Sequence, residues 1–598
     1  MIERVSGNTK ADIFAFDFRA RTDDKTNESG VASIWLSSLV GDDTTETRRS
    51  IKDFLDLIIE RSAKQNVCLY CFDLAFHWSF LAYELFDRGF CHARRMRKDS
   101  VKKFNVFCTS NASTVYSAMI KVSKGHGIIF LKDLKQVYAG YKSLDEMAKS
   151  FKSDRPFFPD DLEKEHPEGA EPTENEKSNS VSRSSFVFDV LKAQEKDAAF
   201  FQAFTLASYS LRRAILHAFG HLRSPYMAYR SKKMYPRITD EDEKKALIAS
   251  KKGGLTGPTI AAIDRGFQIN QRCFVIDRTQ SYPSEMKESK LPRGTGTLFD
   301  GFDTGGGIRL FYVQINSFDG VRIHSIPVLM QGHLHFMPPG SPPIRIWIWE
   351  WEYYQAFSCY INLDCEVLGG YLYREGRCPF GPYVEENQRI RNEFEAKGDF
   401  IQAAHYKALN VTIYGKLIQR DSKETITQTL NEGTGLTVTE RKEREEARES
   451  SYVYLPAGSA IPSLARWHLI KLAKRFGYGN VVYVETDSLI VLENEHTKEV
   501  LASLDLNKQL GHWHLEAVAL EAYFPMAKRY KYKTEDGRAV AKGAGIDSSA
   551  FSGLYDEIKI TDTEIEMRQK KAAPGGTLLI KVHKKLKGER KDENTNPC

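Results

Sequence analysis

Apolar and polar positions alternate through residues 11–40, where the runs IFAFDF and ASIWLSSLV flank a polar stretch, and this period of two predicts strands. Residues 51–90 change to the pattern of a helix, a short buried strand and a second helix, so the chain opens as an α/β unit. The pattern lapses between 156 and 185. PFFPDDLEKEHPEGAEPTENEKSNSVSRSS is rich in Pro, Glu and Ser with almost no aliphatics after Leu162, and it reads as an acidic, flexible loop. Helical periodicity resumes over about 186–220, and 221–255 reads as a basic, polar connection ending in Lys251-Lys252-Gly253-Gly254.

From residue 272 the character changes. RCFVIDRTQSYPSEM predicts a buried strand running into a turn and a helix start, and 305–385 is mostly strand-like, with the aromatics of RIWIWEWEYYQAF read as core. Residues 385–420 are strongly helical, 420–452 are a polar and charged insertion, and 462–477 are helical again. Two apolar runs then enclose a pair of acids in VVYVETDSLIV, residues 481–491. In an extended strand Glu485 and Asp487 project from one face, and buried together they need a cation. The alternative is a hairpin whose turn is ETDS, with both acids solvated at its tip. This segment alone leaves both open.

The 598 residues exceed one ordinary domain, and 41% hydrophobic with 27% charged residues describes a multidomain globular protein. A net charge of +6 permits a polyanionic partner without requiring one. Basic clusters at 94–103, 528–533 and 568–591 each read, taken singly, as a solvated face. Nine scattered cysteines do not form a disulfide framework, which points to a reducing compartment and a cytoplasmic protein. Cys68 and Cys71 have metal-like spacing, but they sit in an apolar strand without a second CxxC and are read as core thiols. No apolar run approaches membrane-spanning length, so the chain is expected to act in solution, with no membrane partner.

A third acid at the end of a buried strand is Asp277, in CFVIDRTQSYPS. Strand-end acids from distant parts of the sequence that meet on one sheet would hold two Mg²⁺ ions through oxygen ligands, about 3.5–4 Å apart, for in-line phosphoryl displacement. The helix FIQAAHYKALNVTIYGKL supplies Lys407 as a point charge for substrate phosphates, with Arg389 and Arg391 upstream.

DRTQSYPS, KALNVTIYG and YVETDS, in that order, resemble motifs A, B and C of family B DNA polymerases. The strand-rich insert between A and B, a second insert between B and C, a late KRYKY and a closing RQKKAAPGG narrow the resemblance to the protein-primed branch. The implied fold is a multidomain α/β and α+β chain: an RNase H-like exonuclease domain followed by a right-hand polymerase with two inserts. Implied limits are 1–225 for the exonuclease-like domain, including the loop 156–185, and 226–287 for a linker and the first part of the palm. Residues 288–385 are insert one plus a palm connection, 386–418 fingers, 419–452 insert two, 453–543 palm, and 544–598 thumb and basic tail. The implied partners are template and primer DNA, deoxynucleoside triphosphates and a terminal protein as primer.

The same resemblance assigns roles. Asp277 and Asp487 match the metal-binding aspartates of a site with two Mg²⁺ ions, or Mn²⁺ in their place, and Glu485 stands at the first acid of motif C. Tyr282 matches the tyrosine under the incoming sugar, Lys407 the triphosphate lysine, and Tyr414-Gly415 the end of motif B that faces the base pair. Arg391 is a further nucleotide-binding candidate. Lys528 and Tyr530 match the KxY element at the primer terminus, and Gly253-Gly254 the YxGG linker element.

Departures change the picture. Glu485 replaces Asp, Val411-Thr412 replaces Asn-Ser with Asn410 displaced by one position, Gln280-Ser281 precedes Tyr282, and Lys251 stands for the YxGG tyrosine. Of the exonuclease motifs, DxE reads Asp17-Phe18-Arg19, NxxxD runs from Asp73 to His77, and YxxxD runs from Tyr209 to Arg213. Three carboxylates have become Arg19, His77 and Arg213, which removes the attraction for Mg²⁺, so proofreading is expected to be absent. Alternatives that the sequence leaves open are a catalytically decayed polymerase acting as a DNA- or protein-binding scaffold, and a polymerase that starts without primer or template.

Overall fold

The alternating apolar run near the N-terminus becomes the strand Thr9–Arg21, in the middle of an 11-stranded sheet. The computed structural model describes residues 1–6, 9–21, 31–93, 102–108, 114–155, 170–221, 225–226, 235–330, 333–419, 422–431, 433–448, 453–543, 564–573 and 576–585. Thr9–Arg21 pairs in parallel with Val67–Cys71, which pairs in parallel with Ile128–Asp133, while Val31–Gly41 adds antiparallel on the other side. The period of two divides its side chains. Phe14, Phe16 and Phe18 join the core under the helices Ile51–Ser62 and Leu74–Asp87, whereas Ile13 and Ala15 join the opposite core. Cys68 and Cys71 are buried free thiols, and burial pushes Cys68 up to about 12.

The expected loop 156–185 is corrected in part. Residues 156–169 lie outside the described residues, but Glu174–Ala193 is a helix that starts at a Thr173/Glu176 capping box. Its buried face begins with Asn179, Ser180, Ser182, Arg183, Ser184 and Ser185, and an aliphatic pattern does not reveal such a face. Small side chains let the helix approach closely: Ser38 Oγ donates to the Ser180 carbonyl at 2.9 Å and lies 2.7 Å from Ser184 Oγ. The connection 221–255 likewise contains a helix, Glu241–Ser250, capped by Asp240.

A second sheet of eight strands holds Cys273–Arg278 between Ser488–Leu492 and Trp513–Met526. Insert one forms a four-stranded sheet. Its aromatic run is split between Ile344–Trp349, a strand, and Glu350–Cys359, a helix, so Trp349 is core while Tyr354 and Phe357 are exposed. Insert two contains an antiparallel pair, Ser422–Leu430 with Thr437–Arg448.

Near the C-terminus, Glu564–Ala573 and Gly576–Lys585 pair with each other, and the second joins the N-terminal sheet at Val31 and Ala32. The helix Leu74–Asp87 meets both late hairpins: Trp78 Nε1 donates to Gln428 Oε1 at 3.0 Å, and Ser79 Oγ lies 2.7 Å from Thr577 Oγ1. Most of the basic cluster 94–103 and much of the expected thumb and tail, 544–563 and 586–598, lie outside the described residues. Among the described residues no helix is long and apolar enough to cross a membrane.

Candidate active site

Four buried residues, Cys273 to Ile276, anchor the strand that ends in Asp277 and Arg278. On one side it pairs with Ser488–Leu492, placing Asp277 opposite Ser488, and the Arg278 amide donates to the Asp487 carbonyl at 2.8 Å. Val481–Glu485 and Ser488–Leu492 form an antiparallel hairpin, so ETDS is its turn, with Thr486 at φ 48°. The acids are nevertheless not solvated at a tip. Burial pushes Asp487 up to about 6, and burial, then the carboxylates of Asp487 and Glu516, push Asp277 up to about 8.

The expectation that Glu485 and Asp487 share one strand face is corrected, because the chain reverses between them. Asp487 lies with Asp277 and the ammonium of Lys407, while Glu485 interacts with Lys542, Lys528 and Tyr530 and its carboxylate still raises Asp487. Among the described residues Glu485 Oε2 is buried without a hydrogen-bond partner. Among the described residues no three His, Cys, Asp or Glu side chains form a ready metal cage. Two neighbouring carboxylates, with Asp487 raising the proton affinity of Asp277, still fit Mg²⁺, which is commonly held by one or two carboxylates with substrate oxygens and water.

The helix Phe400–Leu417 faces this pair with Lys407 and Val411 exposed, and with Tyr414 and Gly415 a turn farther along the same side. Its opposite side holds Asn410, which is fully buried: its amide donates to the Val384 carbonyl at 3.0 Å and its oxygen accepts from Asn387 at 2.9 Å. The displaced asparagine therefore ties this helix to Gly381–Ala396. Arg391, on that second helix, pairs with Glu395 at 2.7 Å and interacts with His514. Arg389 is occupied by Glu386 and Glu393. Tyr282 meets Tyr414 edge to face, with ring centroids 4.8 Å apart. Gln280, at φ 49°, donates its side-chain amide to Gln388 and so links the Asp277 turn to the same helical pair.

The Gly253-Gly254 segment is pressed against the acidic hairpin. A Cβ on Gly254 would lie 2.8 Å from Thr486 Cα, the Thr486 amide donates to the Leu255 carbonyl at 2.6 Å, and Thr256–Pro258 then pairs with Val481–Glu485. Arg466, buried and paired with Glu352, donates to the carbonyls of Lys252 and Gly253 at 2.8 and 2.6 Å, and Lys251 Nζ donates to the Ile418 carbonyl. Lys528, at φ 59°, donates its amide to the Tyr483 hydroxyl at 2.8 Å, and Tyr530 packs on Tyr483 with centroids 5.0 Å apart.

Sequence reasoning missed Glu516, His514 and Lys542. His514 is the register partner of Asp277 on Trp513–Met526, with Nε2 3.9 Å from its carboxylate. Lys542 interacts with Asp277, Asp487 and Glu485 alike. No local pattern marks these residues, since strand pairing alone brings them in.

In the N-terminal sheet, Asp17 is buried and held by Arg183 Nε at 3.1 Å, with His77 Nε2 at 3.4 Å. Burial opposes ionisation, but Arg183, then His77 and Arg19, hold the Asp17 carboxyl down to about 2. Asp73 caps the helix that carries His77, accepting from the Phe76 amide. Tyr209 and Arg213 are grouped elsewhere: Tyr209 donates to Asp197 at 2.8 Å, and Arg213 lies over the Tyr209 ring and interacts with Tyr383 and Tyr406. The arginine facing Asp17 from a helix is thus Arg183, on the segment read as loop.

Residues 185–470 match the family model for DNA polymerase type B, organellar and viral. No curated protein matches the chain. Among solved structures, Phi29 DNA polymerase complexed with primer-template DNA and incoming nucleotide substrates superposes with a TM-score of 0.79 at 18% identity, covering 96% of this chain and 100% of that one. Its orthorhombic crystal form and its complex with single-stranded DNA give 0.77 and 0.75 at the same identity and coverage. The chain has the fold of a phi29-type family B DNA polymerase.

Proposed function

We propose that this chain is a DNA-directed DNA polymerase that adds deoxynucleotides to a 3′-hydroxyl. The observation that carries this reading is the side-by-side placement of Asp277 and Asp487 on paired palm strands, with Lys407 facing both. Asp277 and Asp487 would hold two Mg²⁺ ions, or Mn²⁺, which when bound stabilise the attacking and leaving oxygens of the phosphoryl transfer. Lys407 offsets charge on the triphosphate as an ammonium, with Arg391 behind it. Tyr282, braced by Tyr414, forms the floor under the incoming sugar and rejects a 2′-hydroxyl. Lys528 and Tyr530 hold the primer terminus, and Gly253-Gly254 sets the height of the acidic hairpin. Incubation of the full chain with a primed template, deoxynucleotides and Mg²⁺ extends the primer, and Asp487→Ala abolishes extension. Equal inertness of both proteins, with DNA binding retained in each, would establish a scaffold instead.

Two finer points belong to the same reading. Synthesis starts from a protein hydroxyl, which is supported by the two inserts lying within a fold shared over 96% of the chain with phi29 polymerase. Its test is nucleotide linked covalently to a polypeptide in reactions lacking oligonucleotide. Proofreading is absent, which is supported by the guanidiniums of Arg183 and Arg19 occupying the surroundings of Asp17. Release of a labelled 3′ nucleotide by the wild type, lost in Asp17→Ala and kept in Asp277→Ala, would refute that. In this reading the limits from 1–225 to 544–598 divide the labour among the domains.

A further inference from the structure

Arg278 follows the strand-end acid Asp277, and its guanidinium is buried inside the turn rather than offered to a ligand. It is paired with the buried carboxylate of Glu285, its Nε donates to the Gly511 carbonyl at 2.9 Å, and its Nη1 donates to Ser281 Oγ at 3.3 Å. Glu285 also accepts from Ser289 Oγ and faces His468 Nε2 at 3.5 Å, on the helix Leu455–Phe476. Because Glu285 stands one turn after Tyr282 on the helix Ser281–Glu288, the pair clasps the strand end that presents Asp277 to the helix that presents Tyr282. Between them Gln280 holds φ at 49°, a conformation that a residue other than glycine keeps only where its surroundings impose it. The clasp is one such constraint. A second is the neighbouring loop, where the Gly511 amide donates to the Thr279 carbonyl at 2.9 Å and the Thr279 amide to the His512 carbonyl at 3.0 Å. Ser281, a departure from the motif A pattern, is thus a partner in the clasp.

A buried ion pair adds little net stability over apolar side chains of similar volume, because both charges must leave water. What it supplies is direction, since a guanidinium offers a rigid fork of donors whose bonds have fixed lengths and angles. We propose that Arg278 and Glu285 are positioning residues for the sugar of the incoming nucleotide: their pairing sets the distance from the Asp277 carboxylate to the Tyr282 ring, and with it the discrimination between deoxyribose and ribose triphosphates. Both side chains are buried, so they act through Tyr282 and Asp277 and not by touching the nucleotide. The assignment rests on the polymerase reading, in which Tyr282 forms the floor under the sugar.

The experiment measures equilibrium affinities for a deoxynucleoside triphosphate and the matching ribonucleotide, with Mg²⁺ and a primer–template ending in a dideoxynucleotide. The full-length wild type is compared with Arg278→Met, Arg278→Lys, Glu285→Gln and the double variant Arg278→Met/Glu285→Leu, and melting temperature and primer–template affinity are read alongside. Each single variant is expected to lower the deoxy-to-ribo affinity ratio by about 10-fold or more, the scale on which a pocket admits or rejects one small group, with primer–template affinity unchanged. Arg278→Lys keeps the charge but not the fork that reaches Glu285, Ser281 and Gly511 together, so its ratio falls while its melting temperature stays close to wild type. The double variant regains the melting temperature lost in Arg278→Met and does not regain the ratio. A wild-type ratio in Arg278→Lys overturns the proposal, and so does a double variant that recovers selectivity together with stability. Failure of the polymerase reading is a separate result, a wild type that discriminates between the two nucleotides and extends no primer, because the ratio is read without catalysis.

Discussion

The amide of Arg278 donates to the carbonyl of Asp487 at 2.8 Å, and this bond fixes Asp277 and Asp487 as neighbours across two paired strands. Burial and the proximity of other carboxylates hold Asp277 at about 8, against an ordinary value of 3.8. Between those limits the folded protein keeps a proton that the unfolded chain has lost. The stabilising contribution is therefore complete below the lower limit and disappears as pH rises through the upper one. Metal-free protein is expected to melt at progressively lower temperature from pH 6 to 8.5. Asp277→Asn flattens that decline and raises the melting temperature at pH 8.5, and Mg²⁺ stabilises the wild type more strongly as pH rises, since the ligand must be deprotonated. Thermal scans with and without Mg²⁺ check this, and the same pH slope in Asp277→Asn would show that Asp277 does not carry it.

Gly254 meets Thr486 so closely that no side chain fits between them, with an added Cβ 2.7 to 2.8 Å from three Thr486 atoms. Thr486 cannot retreat, because its amide is bonded to Leu255 and its neighbour Glu485 pairs with Thr256. Gly254→Ala is expected to lift the acidic hairpin. Overpacking costs roughly 1–3 kcal/mol, and misplacing a reacting group by about 1 Å lowers turnover by about 100-fold. Turnover falls while affinity for primer–template stays near wild type. A loss of DNA affinity with unchanged turnover would instead make Gly254 a DNA contact.

How much of this was legible follows from where the information sits. Asp277, Lys407 and Asp487 announced themselves because charged side chains interrupt apolar runs, and in the structure Asp277 lies within reach of both Asp487 and Lys407. The hairpin at ETDS was equally visible, but not its consequence that Glu485 turns toward Tyr530. Arg183 escaped because its helix buries serines and an asparagine, and its fourth predecessor is Asn179, so no tyrosine marked the segment. Lys542, His514 and the docking of Thr577 beside Ala32 depend on strand register between remote segments, to which local periodicity is blind.

Tyr282 stands between two constraints, its ring against Tyr414 and its hydroxyl facing the Gly254 backbone. On the polymerase reading proposed above, a ring held from both sides cannot swing away from a 2′-hydroxyl, and exclusion of ribonucleotides rests on shape. Tyr282→Val opens that space and is expected to cost roughly 10- to 200-fold in sugar selectivity, the range for a pocket that admits or rejects one small group. Single-nucleotide incorporation with matched ribo- and deoxynucleotides measures it. Unchanged selectivity would mean that another residue contacts the sugar.

Arg183 neutralises the Asp17 carboxylate, and the bond is internal to the fold. The carboxylate is 7% exposed and its strand is central in the sheet, so removing the guanidinium takes away the strongest cationic partner of a buried charge. Arg183→Met is expected to cost about 3–5 kcal/mol, while Arg213→Met, which loosens a half-exposed contact with Asp197 at 3.9 Å, costs about 0–1 kcal/mol. Because Asp17 is held at about 2, below its ordinary 3.8, its contribution is present above the ordinary value and is lost as pH falls through the lower one. The gap between the two variants should therefore be wide at pH 7 and narrow near pH 2. Hydrogen exchange along Thr9–Arg21 reports it locally, free of the unfolding of other domains. Equal protection in Arg183→Met and Arg213→Met would show that Asp17 is stabilised by His77 and Arg19 alone.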